Sequence, residues 1–168
     1  MTVLLIYIIT SYLLDGLISN YISINIINPS YLRTIYSIVS LVIIYHYFEN
    51  YRKYLYITIT LGVLFDIVYT NTFPMNTILF LLIYLLLKQL DYVLPNNIFT
   101  INIKSLLSIT MYHTLTYIIL LLTHYNSYSI NLLFLILSRS IIMTIIYTTI
   151  SYFIIKKIYS KHYNKSII

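Results

Sequence analysis

The segment ENYRKYLYITITLGVLFDIVYTNTFPMNTILFLLIYLLLKQL, residues 49–90, decides the fold. It holds two apolar runs, residues 54–70 and 75–90, joined by a short turn that ends in Pro74. Each run approaches the roughly 20 apolar residues that cross a bilayer core as a helix. Because the turn is so short, the two helices are predicted to be antiparallel neighbours. The basic residues before the first run and after the second therefore lie on one side of the membrane.

The positive charges of the whole chain follow the same alternation. The chain has 10 Lys and Arg against 4 Asp and Glu. Most of the basic residues fall after the second apolar run, near or after the end of the fourth, or in the C-terminal tail: Arg52, Lys53, Lys88, Lys104, Lys156, Lys157, Lys161 and Lys165. Lys and Arg are retained on the cytoplasmic side during insertion. The pattern predicts six membrane crossings, with the N- and C-termini in the cytoplasm.

The composition excludes several classes of protein. The 168 residues are 60% hydrophobic and only 8% charged, whereas a soluble domain has roughly 25% charged residues. There is no Cys, so neither a disulfide framework nor a thiolate metal site is possible. The net charge of +6 is at helix ends and not along one basic stripe. We therefore expect contact with anionic membrane lipids and no nucleic-acid partner.

The predicted fold class is an all-α membrane protein, a six-transmembrane-helix bundle. The apolar runs are continuous, whereas the strands of an outer-membrane barrel alternate apolar and polar residues. One domain is predicted over residues 1–168, and residues 156–168 form its basic cytoplasmic tail. The predicted helices are residues 3–18, 31–48, 54–70, 75–90, 105–123 and 132–155.

Four charged residues fall in or beside these helices, and all four map to the outer half: Asp15, Arg33, Asp66 and Arg139. Charge inside a membrane is costly and indicates a partner, a cavity or a function. Two acids and two bases at one depth could neutralise one another, and Asp66 with Arg139 is the expected pair. Two interpretations remain open: ion pairs that only fix helix register, or a site for a ligand or partner.

Small residues indicate which helix faces meet. Gly62 and Asp66 are four residues apart, so they share one helix face, where Gly permits close approach and Asp points into the bundle. On the sixth helix, Ser140, Thr144, Thr148 and Ser151 form a stripe of small side chains. Small residues are enriched where membrane helices touch, so this stripe is predicted to face protein.

No catalytic constellation is recognisable in the sequence. No His pair has metal-ligand spacing, there is no Gly-rich phosphate loop, and no acidic cluster could hold a divalent ion. The sequence predicts no enzyme activity, no cofactor and no metal site.

Residues 55–90 resemble the signature region of MreD, the rod shape-determining membrane protein of bacteria. Gly62-Val63-Leu64-Phe65-Asp66 is similar to the end of one helix in that family, and Asn76 to the start of the next. Pro29 before the second helix and Arg139 in the last also fit the family pattern. The chain departs from it at Phe73-Pro74, where the family has Gly in the turn.

The resemblance implies a non-enzymatic scaffold of the cell-elongation (rod) complex, which controls cell shape and peptidoglycan synthesis. Members bind MreC, a single-span protein, and connect it to the MreB filament and to RodA with its class B penicillin-binding protein. Their fold is similar to the S component of energy-coupling-factor transporters. The alternative function is therefore a substrate-binding S component for a vitamin or small solute. Asp15, Asp66, Arg139 and many Tyr residues could line its outer pocket.

Overall fold

The computed structural model describes residues 2–21, 34–48, 50–95, 97–123 and 129–163. These residues form six helices and no strand. The helices are α1 (Thr2–Tyr21), α2 (Tyr36–Tyr45), α3 (Tyr51–Phe65), α4 (Met75–Val93), α5 (Ile98–Leu122) and α6 (Ile130–Tyr163). A π-helical segment, Asp66–Thr70, continues α3.

Four helical segments are long and apolar enough to cross a membrane: Tyr51–Thr70, Met75–Val93, Ile98–Leu122 and Ile130–Ile158. Two shorter apolar helices, Val3–Ile18 and Tyr36–Tyr45, accompany them in the described residues. The chain is thus compatible with an all-α membrane protein.

Helix α2 lies at the centre of the bundle and is much shorter than predicted. It packs against α1, α4, α5 and α6, and all of its 10 residues are buried. A helix that is apolar all round is typical of such a central position. The prediction of a helix over residues 31–48 is therefore wrong in its length, although residues 31–33 lie outside the described residues. At about 1.5 Å per residue, α2 is roughly 15 Å long, half the thickness of a bilayer core.

The connection between α4 and α5 is shorter than the polar residues suggest. The sequence predicts a long link up to residue 104, but α4 continues to Val93 and α5 begins at Ile98. Asn97 caps α5: its side chain accepts the Thr100 N–H at 2.9 Å, and the Thr100 hydroxyl accepts the Asn97 N–H at 3.1 Å. Lys104 can lie inside the helix because Asp91 neutralises it at 3.0 Å. The predicted start at residue 105 is therefore wrong.

The α3–α4 hairpin has the turn that its sequence predicts. Asn71 ends the π-helical segment with φ 51°, a left-handed conformation that Asn tolerates better than most residues. Met75 N–H then donates to the Thr72 carbonyl at 2.7 Å as α4 begins. The positive φ therefore lies at Asn71, so this turn needs no Gly at Phe73 or Pro74.

Helix contacts are close where the sequence has small residues. A Cβ added to Gly62 would lie 2.7 Å from the Thr77 Cα, so α3 and α4 touch through their backbones. The four residues of the α6 stripe are each at most 4% exposed, which confirms that the stripe faces protein. Helix α6 also continues to Tyr163, beyond the predicted end at residue 155. The rest of the predicted tail, residues 164–168, lies outside the described residues.

Candidate functional site

The Asp66 carboxylate caps the N-terminus of α4. Oδ1 accepts the Asn76 backbone N–H at 2.8 Å, and Oδ2 accepts the Thr77 N–H at 2.9 Å. The Thr77 hydroxyl also donates to Oδ2 at 2.7 Å. Asp66 is completely buried. Backbone N–H groups at a helix start have no partner within the helix, and a negative charge there is favourable.

The cap extends into a polar network that joins three helices. The Asn76 side-chain amide donates to Asp66 Oδ1 at 3.0 Å and to the Thr70 hydroxyl at 2.9 Å. The Tyr112 hydroxyl, on α5, donates to the Asn76 side-chain carbonyl at 2.6 Å. We call Asp66, Thr70, Asn76, Thr77 and Tyr112 the α4 cap network. It fixes the positions of α3, α4 and α5 relative to one another.

Asp15 makes the equivalent contacts at the N-terminus of α2. Oδ1 accepts the Tyr36 N–H at 2.8 Å, and Oδ2 accepts the Ser37 N–H at 2.8 Å. The Ser37 hydroxyl also donates to Oδ2. Each acidic residue thus binds two successive backbone N–H groups and one hydroxyl of the helix that follows its own. The chemistry is the same in the α1–α2 and α3–α4 hairpins.

A common cause explains both contacts. The residues at the N-cap positions of α2 and α4 are Ile35 and Pro74, whose side chains cannot accept a hydrogen bond. The first turn of α2 is buried in the bundle, and in lipid or protein no water is at hand for the unpaired donors. The carboxylate of the preceding helix supplies the acceptor that the local sequence lacks.

The paired design was not recognised from the sequence, which shows no internal repeat. The residues that sequence reasoning missed are Tyr36, Ser37, Thr77 and Tyr112. The sequence nevertheless contains a signal for this contact. An Asp lies near the end of one helix, and the next helix begins after a residue whose side chain cannot cap it. That next helix has Ser or Thr in its first turn. Ile35-Tyr36-Ser37 and Pro74-Met75-Asn76-Thr77 both fit this description.

The expected ion pair between Asp66 and Arg139 is wrong. In the described part of the chain, the Asp66 carboxylate accepts hydrogen bonds from Asn76, Thr77 and Thr72, all of them neutral. The carboxylate needs no basic partner because the helix N-terminus offers it donors and a positive dipole end. Arg139 is half-buried on α6. Arg33 lies outside the described residues.

A second polar region lies where α6 passes α1 and the start of α2. The Thr34 and Thr144 hydroxyls are 2.8 Å apart, and the Ser11 hydroxyl is 2.9 Å from the Tyr147 hydroxyl. The hydroxyls of Tyr36 and Thr148 are buried, and each lacks a hydrogen-bond partner among the described residues. This region has more hydrogen-bonding capacity than the protein itself uses.

The arrangement suits structural roles better than chemistry. Fixed donors hold both carboxylates, three on Asp15 and five on Asp66, an arrangement that suits a helix cap. Within the described ranges, no group of three or more His, Asp or Glu residues could hold a metal ion. Comparison of this chain with protein-family models, with curated proteins and with solved structures finds no match in any of the three.

Proposed function

We propose that this chain is a non-enzymatic membrane scaffold of a bacterial cell-elongation complex, as its resemblance to MreD implies. The observation that best supports this proposal is that two acidic side chains cap helices inside the bundle. Asp15 and Asp66 cap α2 and α4 through backbone donors. A scaffold needs a bundle held in one arrangement, and two charged caps serve that need.

In this proposal the chain crosses the bacterial inner membrane six times, with both termini in the cytoplasm. The start of α3 and the end of α4, which carry Arg52, Lys53 and Lys88, then face the cytoplasm. The second crossing depends on α2, which is too short to span alone. Non-helical backbone at membrane depth is tolerated where protein surrounds it, and α2 itself is surrounded by α1, α4, α5 and α6.

The proposed mechanism is docking through helix faces. The transmembrane helix of an MreC-like single-span protein would pack on an exposed face of the bundle. Each interhelical hydrogen bond would contribute roughly 0.6–2 kcal/mol. RodA with its class B penicillin-binding protein would share the assembly, and the basic cytoplasmic end would face the MreB filament and anionic lipids.

Two exposed apolar faces are available for such a helix. On α1, Ile6, Ile9, Leu13 and Leu17 are each more than half exposed. On α6, Ile142, Ile150 and Phe153 are exposed to a similar extent. These faces are suitable positions for a photo-crosslinking amino acid, because more than half of each side chain is exposed.

The test is crosslinking from these positions in native membranes, followed by purification and mass spectrometry. We expect an MreC-like protein to be recovered from one face and not from the other. The matched comparison is Leu13 on α1 against Ile150 on α6, since both are 53% exposed. Recovery of lipid adducts alone from both faces would contradict the scaffold function.

A second function is favoured by the polar region between α1, α2 and α6. Tyr36 and Thr148 have buried hydroxyls without partners among the described residues, and a small solute could use them. This is the S-component alternative, in which the chain captures a vitamin-like molecule for a transporter. In the same crosslinking experiment, recovery of an energising membrane subunit with two ATPases would establish it in place of the scaffold.

A further inference from the structure

The opposite end of the bundle from the α4 cap network contains a small cavity lined by tyrosine rings and two charged residues. It has a volume of about 40 Å³ and is lined by Tyr45, Tyr51, Lys88, Asp91 and Tyr92. These residues come from the end of α2, the start of α3 and the end of α4. At roughly 10–15 Å³ for each water-sized group, the cavity has room for a few heavy atoms. We call it the tyrosine–lysine cavity.

The charges of the cavity favour an anion. Asp91 is neutralised by Lys104, whose Nζ lies 3.0 Å from Asp91 Oδ1 and whose side chain is 3% exposed. Among the described residues, no carboxylate lies within ion-pair distance of Lys88. Two lysines and one aspartate leave one positive charge, and Lys88 carries it at the exposed side of the cavity.

The hydroxyls favour an anion with several oxygen acceptors. Tyr45 is only 5% exposed and lines the cavity. Its hydroxyl has no hydrogen-bond partner in the part of the chain that the structure describes. Tyr51 and Tyr92 are 50% and 82% exposed, so their rings flank the opening. A tyrosine hydroxyl donates one hydrogen bond, and a lysine ammonium donates three.

We propose that the tyrosine–lysine cavity binds a phosphate group, with Lys88 as the charge partner and the Tyr45 hydroxyl as the innermost donor. Lys binds phosphate as a point charge. The exposed Tyr residues at this end suit the headgroup level of a bilayer, where aromatic rings and basic residues collect. An anionic phospholipid and free inorganic phosphate would both present the required chemistry. The proposal does not depend on the scaffold function.

The test is native mass spectrometry of the full chain released from detergent with added lipid. The wild-type protein should retain phosphatidylglycerol in preference to phosphatidylcholine. Lys88→Gln should weaken that retention about tenfold, the loss expected when a charged hydrogen bond is removed. Tyr45→Phe keeps the ring and removes the hydroxyl, so it should also weaken retention while the protein stays folded.

The matched control is Lys53→Gln, which removes an exposed charge at the same end of the bundle but does not line the cavity. Equal losses for Lys88→Gln and Lys53→Gln would overturn the proposal, because charge alone would then explain binding. No preference for phosphatidylglycerol and no binding of inorganic phosphate would also overturn it. Binding of inorganic phosphate without a lipid preference would support phosphate binding in the cavity and identify free phosphate as the ligand.

Discussion

At the scale of single residues, Asp66 shows why a charge can be stable inside an apolar bundle. Its carboxylate accepts the N–H groups of Asn76 and Thr77 at a position with no solvent exposure. Asp66→Leu leaves both donors buried without an acceptor, at about 1–3 kcal/mol each. We expect a loss of roughly 2–5 kcal/mol in the free energy of unfolding, measured by denaturant titration in micelles.

Asp66→Asn is the conservative companion, because it keeps the shape and one acceptor oxygen. The free energy of unfolding of this variant should fall by less, about 1–2 kcal/mol, which is the usual contribution of an N-cap side chain. Thr72→Val serves as the control, since Thr72 is exposed and lies at the edge of the network, 3.3 Å from Asp66 and 2.7 Å from the Thr70 hydroxyl. If Asp66→Leu were as stable as the control, or accumulated in membranes and recovered partners unchanged, the capping role would be refuted.

The two glycines of the chain make a matched pair of substitutions. A Cβ at Gly62 would lie 2.7 Å from the Thr77 Cα, a backbone atom that cannot move alone. The three atoms nearest to a Cβ at Gly16 all belong to the Tyr69 side chain, which can shift at the cost of its hydrogen bond to the Tyr12 carbonyl. Gly62→Ala should therefore cost about 1–3 kcal/mol, and Gly16→Ala about 1 kcal/mol or less. Thermal unfolding of both variants measures the two losses of stability. A larger loss for Gly16→Ala than for Gly62→Ala would contradict the close approach of α3 and α4.

At the scale of elements, α6 carries two hydroxyls one turn apart that differ in their contacts. The Thr144 hydroxyl donates to the Ser140 carbonyl at 2.7 Å and contacts Thr34. The Thr148 hydroxyl is buried without a partner among the described residues. Thr144→Val should destabilise the bundle by about 0.5–1.5 kcal/mol, whereas Thr148→Val should be neutral or stabilising. Equal losses for both would indicate that Thr148 has a bound partner, as in the solute-capture alternative.

A helix end can be predicted from the sequence when the residues that define it are close together along the chain. The apolar runs and the turn before Pro74 predict α3 and α4 because all the signals are local. The start of α2 is not predictable in this way, since its cap is Asp15, on the preceding helix. The start of α5 is not predictable locally either, because a Lys at position 104 indicates a loop, whereas Asp91 neutralises it within the bundle. Local patterns therefore identify helices, and distant polar contacts set their ends.

At the scale of the whole molecule, polar groups lie at both ends of the apolar bundle. One end has the two aspartate caps, which hold α2 and α4 in place. The other has Arg52, Lys53 and the tyrosine–lysine cavity. The orientation proposed above places this second end in the cytoplasm. That orientation rests on exposed charges and is independent of the capping contacts, so the two can be tested separately.

The last prediction tests the orientation directly. Arg52, Lys53 and Lys88 are exposed. Changing all three to Gln removes three positive charges that favour a cytoplasmic position for this end, without removing a described ion pair. Lys104 stays, because its bond to Asp91 is internal.

The chain has no Cys, so a single Phe73→Cys or Val93→Cys substitution can be labelled without background. These positions are 66% and 77% exposed and lie at opposite ends of α4. With native charges, an impermeant maleimide should label Phe73→Cys in intact cells and Val93→Cys only after permeabilisation. In the triple Gln variant, Val93→Cys should become partly labelled and Phe73→Cys partly protected in intact cells, because fewer Lys and Arg residues then hold that end inside. An unchanged labelling pattern would contradict this prediction, because the basic residues that remain would then be sufficient to set the orientation.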